Sequence, residues 1–175
     1  MATVTFQSYP ANGREAKDYN KTSTDGNGAL LRPRGFLLEK LTNEEVRKAV
    51  ELFWTTFLAK SEDLLNPYYA PGSTIFQISM GRAEPGRLGA MRRSREYFRP
   101  DTRMELKLGP IDVVLIGSDA GIASYTFHFQ ATGRDVGGGK RVEEKLDLVR
   151  ATHVFQRDSQ GRLRILHEHF SVPVT

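Results

Sequence analysis

The stretch that decides the fold lies at residues 150–174 and reads RATHVFQRDSQGRLRILHEHFSVPV. Two runs rich in β-branched and aromatic residues flank Asp158-Ser159-Gln160-Gly161, a cluster of turn-forming residues, and this pattern is typical of a β-hairpin. The two arms are expected to close a sheet. Most side chains with usable chemistry lie on this hairpin or on the strand pattern before it, so it is the natural place to look for a site.

Composition limits the class of protein. The chain has 175 residues, of which 39% are apolar and 26% charged, so one domain with one sizeable core is expected. The absence of cysteine excludes a disulfide framework, a thiolate metal site and a cysteine nucleophile. The opening MATVTFQSYPANGREAKDYN has no basic region followed by an apolar run, and no stretch approaches about 18 uninterrupted apolar residues. A soluble, cytoplasmic protein without membrane contact is therefore expected.

The charge balance is mildly basic, with 25 Lys and Arg against 21 Asp and Glu, which permits an anionic ligand without requiring one. The densest basic run, residues 91–103, contains five arginines but also Glu96 and Asp101. It lacks the repeated aromatic platforms that single-strand binders use. We interpret it as a solvated helix face, and no nucleic-acid partner is expected.

Residues 1–38 are expected to form a largely irregular N-terminal extension, because their first part is rich in Asn, Gly, Ser, Thr, Lys and Asp. Two apolar groups, at residues 29–31 and 36–38, are suited to packing on a neighbouring subunit. Residues 39–175 are expected to form the folded domain.

Three helices are predicted in the first half of that domain. Thr42-Asn43-Glu44-Glu45 is a capping box, which places a helix start at about Asn43. Apolar residues then recur at helical spacing, which commits one face to a core; they are Val46, Ala49, Val50, Phe53, Trp54, Phe57 and Leu58. A short helix at 61–69, interrupted by Pro67, and a third at 88–98, ended by Pro100, follow.

The rest of the domain is predicted to be strand, at residues 73–80, 104–116, 122–132, 140–157 and 162–174. Short loops join the last four strands, so these must pair in antiparallel fashion. Between Leu148 and Val149 the apolar residues change from even to odd positions, which predicts a β-bulge that bends the sheet. The expected fold class is α+β, a strongly curved antiparallel sheet with three N-terminal helices enclosing a conical pocket.

Three segments resemble the nuclear transport factor 2-like (NTF2-like) superfamily, which has a cystatin-like cone. They are the helix at 41–60, Tyr68-Tyr69-Ala70-Pro71-Gly72-Ser73, and residues 152–171 with the sequence HEHFS. Within the superfamily the chain is similar to SnoaL-like and ketosteroid-isomerase-like proteins and to the association domain of calcium/calmodulin-dependent kinase, over residues 40–175. The resemblance implies a pocket between the concave face of the sheet and the helices, and an outer face used to form a homodimer.

Strand 122–130 alternates cleanly, with Ala123, Tyr125, Phe127 and Phe129 on one face, which we expect to face inward. Tyr125 either orients a substrate oxygen or is a satisfied buried tyrosine. The last strand is ambiguous, because both of its faces contain apolar residues. The association domain has pocket arginines at the positions of Phe127, His153 and Phe170. The resemblance therefore implies that Glu168 faces inward, and the phenylalanines argue against carboxylate binding.

In that register, His153 and Glu168 open onto one apolar cavity. A carboxylate and an imidazole that share a proton supply the groups for general acid–base catalysis, and the alternative is a structural hydrogen bond. The expected catalytic residues are Glu168, His153 and Tyr125. The expected ligand-binding residues are Trp54, Phe127, Phe129, Phe155 and Phe170, with a plain core role as the alternative for Phe129.

His167 and His169 project to the same side of their strand. Together with His128 they offer three imidazole ligands for a zinc or iron ion. No carboxylate follows at ligand spacing, so packing in a subunit interface is the favoured interpretation. No metal and no cofactor are expected. The Asp and Tyr set of ketosteroid isomerase is absent from the matching positions, which argues against steroid isomerisation.

Two functions follow. The first is a SnoaL-like protein that binds a hydrophobic small molecule, or a cofactor-independent isomerase, cyclase or dehydratase that acts on it by acid–base catalysis. The alternative is a non-catalytic oligomerisation or regulatory module of the kinase association-domain type. A deep pocket lined by Tyr125, His153 and Glu168 would favour the first, and one filled by Trp54, Phe127 and Phe170 would favour the second.

Overall fold

The computed structural model describes residues 3–6, 40–76, 84–134 and 141–173. The apolar groups at 29–31 and 36–38 lie outside the described residues. Within residues 1–38, Thr3–Phe6 forms a strand that pairs in parallel with residues 105–108. Four residues of the expected extension therefore belong to the sheet.

Helix α1 spans Asn43–Leu58 and begins with the predicted capping box. The backbone N–H of Glu45 donates to Thr42 Oγ1 at 3.2 Å, and the N–H of Thr42 donates to Glu45 Oε2 at 2.8 Å. The predicted apolar face is buried, at Val46, Val50, Phe53, Trp54, Phe57 and Leu58. The guanidinium of Arg157 donates to Glu45 at 2.7 Å, which lowers the pKa of that carboxyl and ties the helix start to the sheet.

The other helices are shorter than α1. The expected second helix is a single turn, α2 at Glu62–Leu65, followed by a 3₁₀ turn at Asn66–Tyr68, because Pro67 has no N–H to continue the ladder. Helix α3 spans Gly86–Tyr97. In the described part of the chain, only α1 and α3 are therefore helices of several turns.

Among the described residues, seven strands form one sheet. They are β1 Thr3–Phe6, β2 Tyr69–Phe76, β3 Glu84–Pro85, β4 Arg103–Ile116, β5 Ala120–Arg134, β6 Arg141–Arg157 and β7 Leu163–Ser171, in the spatial order β1-β4-β5-β6-β7-β2-β3. The pairs β4–β5, β5–β6 and β6–β7 are antiparallel, as predicted from their short loops.

The expectation of a purely antiparallel sheet was wrong, because β2 pairs in parallel with β7 and β1 in parallel with β4. Short loops dictate the direction of consecutive strands only, and long stretches of chain separate these two pairs. Strand β2 also begins at Tyr69, four residues before the predicted Ser73.

The predicted bulge in β6 is confirmed. Phe127 pairs with Val149 and Phe129 with Leu146, so two residues of β6, Asp147 and Leu148, oppose one residue of β5. Leu148 has φ of +52° and is 53% exposed, whereas Val149 is fully buried. The bulge bends the sheet and changes which residues face inward.

The core lies between α1 and the inner face of β4–β7. Phe53 is fully covered there, and Trp54 stacks on Phe170 with ring centroids 5.7 Å apart. The fold is thus a mixed α+β arrangement with a curved, open sheet. Among the described residues, no helix combines the length and the apolar character that crossing a membrane requires.

Candidate functional site

A small cavity lies between α1, α3 and the inner face of the sheet. Its volume is about 60 Å³, well below the roughly 300–1,000 Å³ of pockets for drug-sized ligands. Four of the five expected ligand-binding residues line it, namely Trp54, Phe127, Phe129 and Phe170. The fifth, Phe155, is fully buried elsewhere and packs edge-on against His153 with ring centroids 5.5 Å apart. Phe155 therefore supports the imidazole and does not face the cavity.

Other wall residues were not expected at a site. Phe53, Phe57 and Leu146 add apolar surface. Tyr69, Ser94 and Tyr97 bring hydroxyl groups, and the Tyr97 hydroxyl donates to Glu144 Oε2 at 2.7 Å. The cavity is thus an aromatic hollow with a few hydrogen-bonding groups, a composition common to sites for small organic molecules.

His153 and Glu168 form a buried pair. They lie opposite each other on β6 and β7, with Nε2 of His153 2.9 Å from Oε2 of Glu168. Both side chains are 0% exposed. On the same strand His169 is exposed and His167 is half-buried, so β7 turns its acid inward, as the resemblance implied.

Two tyrosines and a tryptophan extend this pair into a hydrogen-bonded chain. The Tyr69 hydroxyl donates to Glu168 Oε2 at 3.0 Å. The hydroxyl of Tyr125 lies 3.2 Å from His153 Nδ1 and accepts the indole N–H of Trp54 at 2.8 Å. All five side chains are buried.

Burial dominates the electrostatics of the two tyrosines. It raises the pKa of Tyr69 well above its ordinary value, and the negative charge and hydrogen bond of Glu168 raise it further. Burial likewise raises the pKa of Tyr125, against the opposing effect of the hydrogen bond from Trp54. Both hydroxyls are therefore protonated at neutral pH.

The hydrogen-bonded chain of side chains reaches the cavity at both of its ends. Trp54 and Tyr69 line the cavity, whereas Tyr125, His153 and Glu168 lie behind the aromatic wall, so the expectation that His153 and Glu168 open directly onto the cavity was wrong. The rings of Phe53 and Phe170 cover His153 at centroid distances of 5.1 and 5.6 Å. A ligand in the cavity would therefore meet Tyr69 before it met the carboxylate.

Tyr69 is the member of the site that the sequence interpretation missed. It was assigned to the end of a helix, whereas it is the first residue of β2. Tyr69, Ser73 and Ile75 are buried, but Pro71 between them is exposed and the pairing with β7 shifts register between Tyr69 and Thr74, so no regular alternation marks Tyr69 in the sequence. The Pro-Gly pair after it obscured the strand by suggesting a stop.

The three outward histidines have separate partners. His128 Nδ1 is 3.2 Å from Asp147, His167 Nδ1 is 2.8 Å from Thr74 Oγ1, and His169 meets Phe76 edge-on. In the part of the chain that the structure describes, no group of three or more His, Asp or Glu side chains is arranged to hold a metal ion.

No protein-family model and no curated protein matches the chain. Solved structures do resemble it. A candidate dehydratase of the NTF2-like family from Streptomyces avermitilis has a TM-score of 0.61 at 18% identity, over 75% of this chain and 97% of that one. The association domain of calcium/calmodulin-dependent protein kinase II from C. elegans has a TM-score of 0.56 at 18% identity, over 74% and 94%.

A protein with a cystatin-like fold from Caulobacter vibrioides has a TM-score of 0.58 at 13% identity, over 75% of this chain and 89% of that one. Identities this low establish a shared architecture and transfer no activity. This chain therefore has the NTF2-like fold.

Proposed function

We propose that this protein binds a compact hydrophobic small molecule in the aromatic cavity and exchanges protons with it through the Glu168–His153 pair. The observation that carries the proposal is the position of Tyr69, which lines the cavity and donates a hydrogen bond to Glu168. The corresponding chemistry is that of a cofactor-independent isomerase, cyclase or dehydratase, in which a base removes a proton and an acid returns one.

The energetics of burial support a functional role. Removing a carboxylate from water costs several kcal/mol, and a pair of apolar residues with the volume of the Glu168–His153 pair is often as stable or more so. A protein that served only as a scaffold would gain little from a polar pair in which both side chains are 0% exposed. Buried titratable pairs of this kind are enriched at sites that move protons.

The roles follow from the hydrogen bonds. Glu168 is the proposed base, because its Oε2 lies within hydrogen-bond distance of both His153 and Tyr69. A proton leaving the ligand passes to the Tyr69 oxygen as the hydroxyl proton of Tyr69 moves to Glu168. His153 stabilises the charge of the carboxylate, and Tyr125 holds the imidazole in place.

A fluorescence titration tests ligand binding. Trp54 is the only tryptophan in the chain and lies in the cavity wall, so a molecule that enters should quench its emission in a saturable way. The probe is cyclopentanone, a small ketone with one hydrogen-bond acceptor. Ser94→Leu places a larger side chain into the cavity and is expected to abolish saturable quenching.

The matched control is Ser124→Leu, the same substitution at an exposed position of β5, and it should leave the titration unchanged. Lack of saturable quenching in the wild-type protein would contradict the proposal. Equal binding by S94L and S124L would place the probe outside the cavity and contradict it as well.

A second candidate function is a self-assembling module of the association-domain type. The observation that favours it is the way the rings of Trp54, Phe127 and Phe170 fill the hollow, with centroid distances of 4.8, 5.7 and 5.4 Å. On this proposal the protein forms a homodimer, and Leu148, exposed at the bulge, lies in the contact.

A further inference from the structure

We infer that Trp54 is a positioning residue: its indole N–H fixes His153 in the tautomer that donates to Glu168, and so makes Glu168 a proton acceptor. Trp54 thus orients His153 in addition to forming part of the cavity wall. The inference deepens the proposed function and depends on it only for the catalytic consequence.

The direction of the chain is set at the indole. A tryptophan N–H can donate and cannot accept, and it lies 2.8 Å from the Tyr125 oxygen. The phenol oxygen has one hydrogen and one principal acceptor direction, both near the plane of its ring. The indole occupies the acceptor direction, so the hydroxyl hydrogen of Tyr125 points to its other partner, His153 Nδ1, at 3.2 Å.

The imidazole must then adopt one tautomer. Because Nδ1 of His153 accepts a hydrogen bond, it carries no proton, and the ring proton is on Nε2. That N–H donates to Glu168 Oε2 at 2.9 Å. Trp54, Tyr125 and His153 are 4%, 5% and 0% exposed, so bulk water does not compete for these groups.

The tautomer decides what Glu168 can do. With the proton on His153 Nε2, Oε2 accepts from both the imidazole and the Tyr69 hydroxyl, an arrangement that suits a carboxylate. In the opposite tautomer the Nε2 lone pair would face Oε2. Two acceptors would then oppose each other, and a hydrogen bond between them would require a proton on the carboxyl group. Through Tyr125 and His153, the indole thus sets the hydrogen-bond direction that leaves Oε2 of Glu168 as an acceptor.

Nitrogen-15 NMR of the histidine rings tests the inference without any ligand. The chain has four histidines, and the signals of His153 are identified by their loss in His153→Asn. In the wild-type protein we expect a one-bond proton coupling at Nε2 of His153 and none at Nδ1. In Trp54→Phe the hydroxyl of Tyr125 can turn away, so a coupling should appear at Nδ1.

Phe170→Leu is the control, because it removes the ring that stacks on Trp54 and keeps the indole N–H. F170L should retain the wild-type couplings of His153. If loss of packing around Trp54, and not loss of the indole N–H, changed the tautomer, F170L would change the couplings too. A proton on Nδ1 in the wild-type spectrum would overturn the inference even if W54F did not fold. An unchanged pattern in folded W54F would overturn it too, whereas failure of cyclopentanone to bind would refute the proposed function and leave the measured tautomer standing.

Discussion

At the scale of single residues, Tyr69 connects the two parts of the site. Its ring packs edge-on against Phe53 with centroids 5.9 Å apart, and its hydroxyl reaches Glu168. Burial and the neighbouring carboxylate both oppose formation of a phenolate, which is why its pKa lies well above the ordinary value. Tyr69 can relay a proton in a concerted step without becoming an anion.

The raised pKa values predict a loss of stability at alkaline pH. For Tyr69 and Tyr125 the folded pKa exceeds the unfolded value of 10. The stabilisation that these two side chains contribute is therefore fully present below about pH 10 and declines as the pH rises further. The expected slope is about 1.4 kcal/mol per pH unit for each tyrosine. The free energy of unfolding in urea, measured between pH 8 and about pH 11, gives this slope.

Tyr69→Phe removes the hydroxyl, and with it both the hydrogen bond to Glu168 and the titration of this side chain. It should lower the free energy of unfolding at neutral pH by about 1–3 kcal/mol, because Glu168 loses a donor. Above pH 10 it should also reduce the slope of the free energy of unfolding against pH by about 1.4 kcal/mol per pH unit, the contribution of one tyrosine. A slope as steep as that of the wild-type protein would show that Tyr69 titrates normally.

At the scale of elements, the β6–β7 hairpin brings the acid and the imidazole together. Its turn is held by Asp158, which accepts the backbone N–H groups of Gln160 and Arg162, and Gly161 adopts φ of +79°. These bonds, the one to the Arg162 N–H above all, lower the pKa of Asp158. A slip of one residue in this hairpin would turn Glu168 to the outer face, so the turn chemistry sets the register of the site.

The bulge in β6 predicts a contact between subunits. Leu148 has a left-handed backbone, which costs a non-glycine residue about 1–2 kcal/mol, and it exposes 53% of its surface. If a partner covers it, Leu148→Lys places an unpaired charge in the contact and should weaken the homodimer at least tenfold, or by about 1.4 kcal/mol. Sedimentation velocity over a range of protein concentrations measures the change.

Leu64→Lys provides the matched control, because Leu64 is similarly exposed, at 62%, on α2. It should leave the association unchanged. A monomeric wild-type protein, or a L148K variant that associates as strongly as the wild type, would remove the bulge from any interface.

The sequence predicted elements well wherever one local signal was sufficient. The capping box placed the start of α1, the short loops set the direction of β4–β7, and the change of parity located the bulge. It failed at β2, because the parallel pairing with β7 depends on contacts between residues about 90 positions apart. The strand was predicted to begin at Ser73, four residues after its actual start, and this late start concealed Tyr69.

At the scale of the whole molecule, the order of elements was sufficient to identify the NTF2-like fold, which the solved structures bear out. The inward orientation of Glu168 came from the family resemblance, since both faces of its strand contain apolar residues. The depth of the site could not be predicted. How far Phe53 and Phe170 cover the imidazole depends on the packing of α1 on the sheet, which periodicity alone does not determine.

The central claim is that a buried carboxylate exchanges protons with a molecule in the aromatic cavity. The most direct test is the replacement of the α-protons of cyclopentanone by deuterium in D₂O, followed by NMR. Glu168→Gln keeps an oxygen that accepts hydrogen bonds from Tyr69 and His153, so the fold and the quenching of Trp54 should persist. The wild-type protein should accelerate the exchange, and E168Q should lose about 100-fold or more of that acceleration. Equal acceleration by both proteins, or none by the wild type, would contradict the claim.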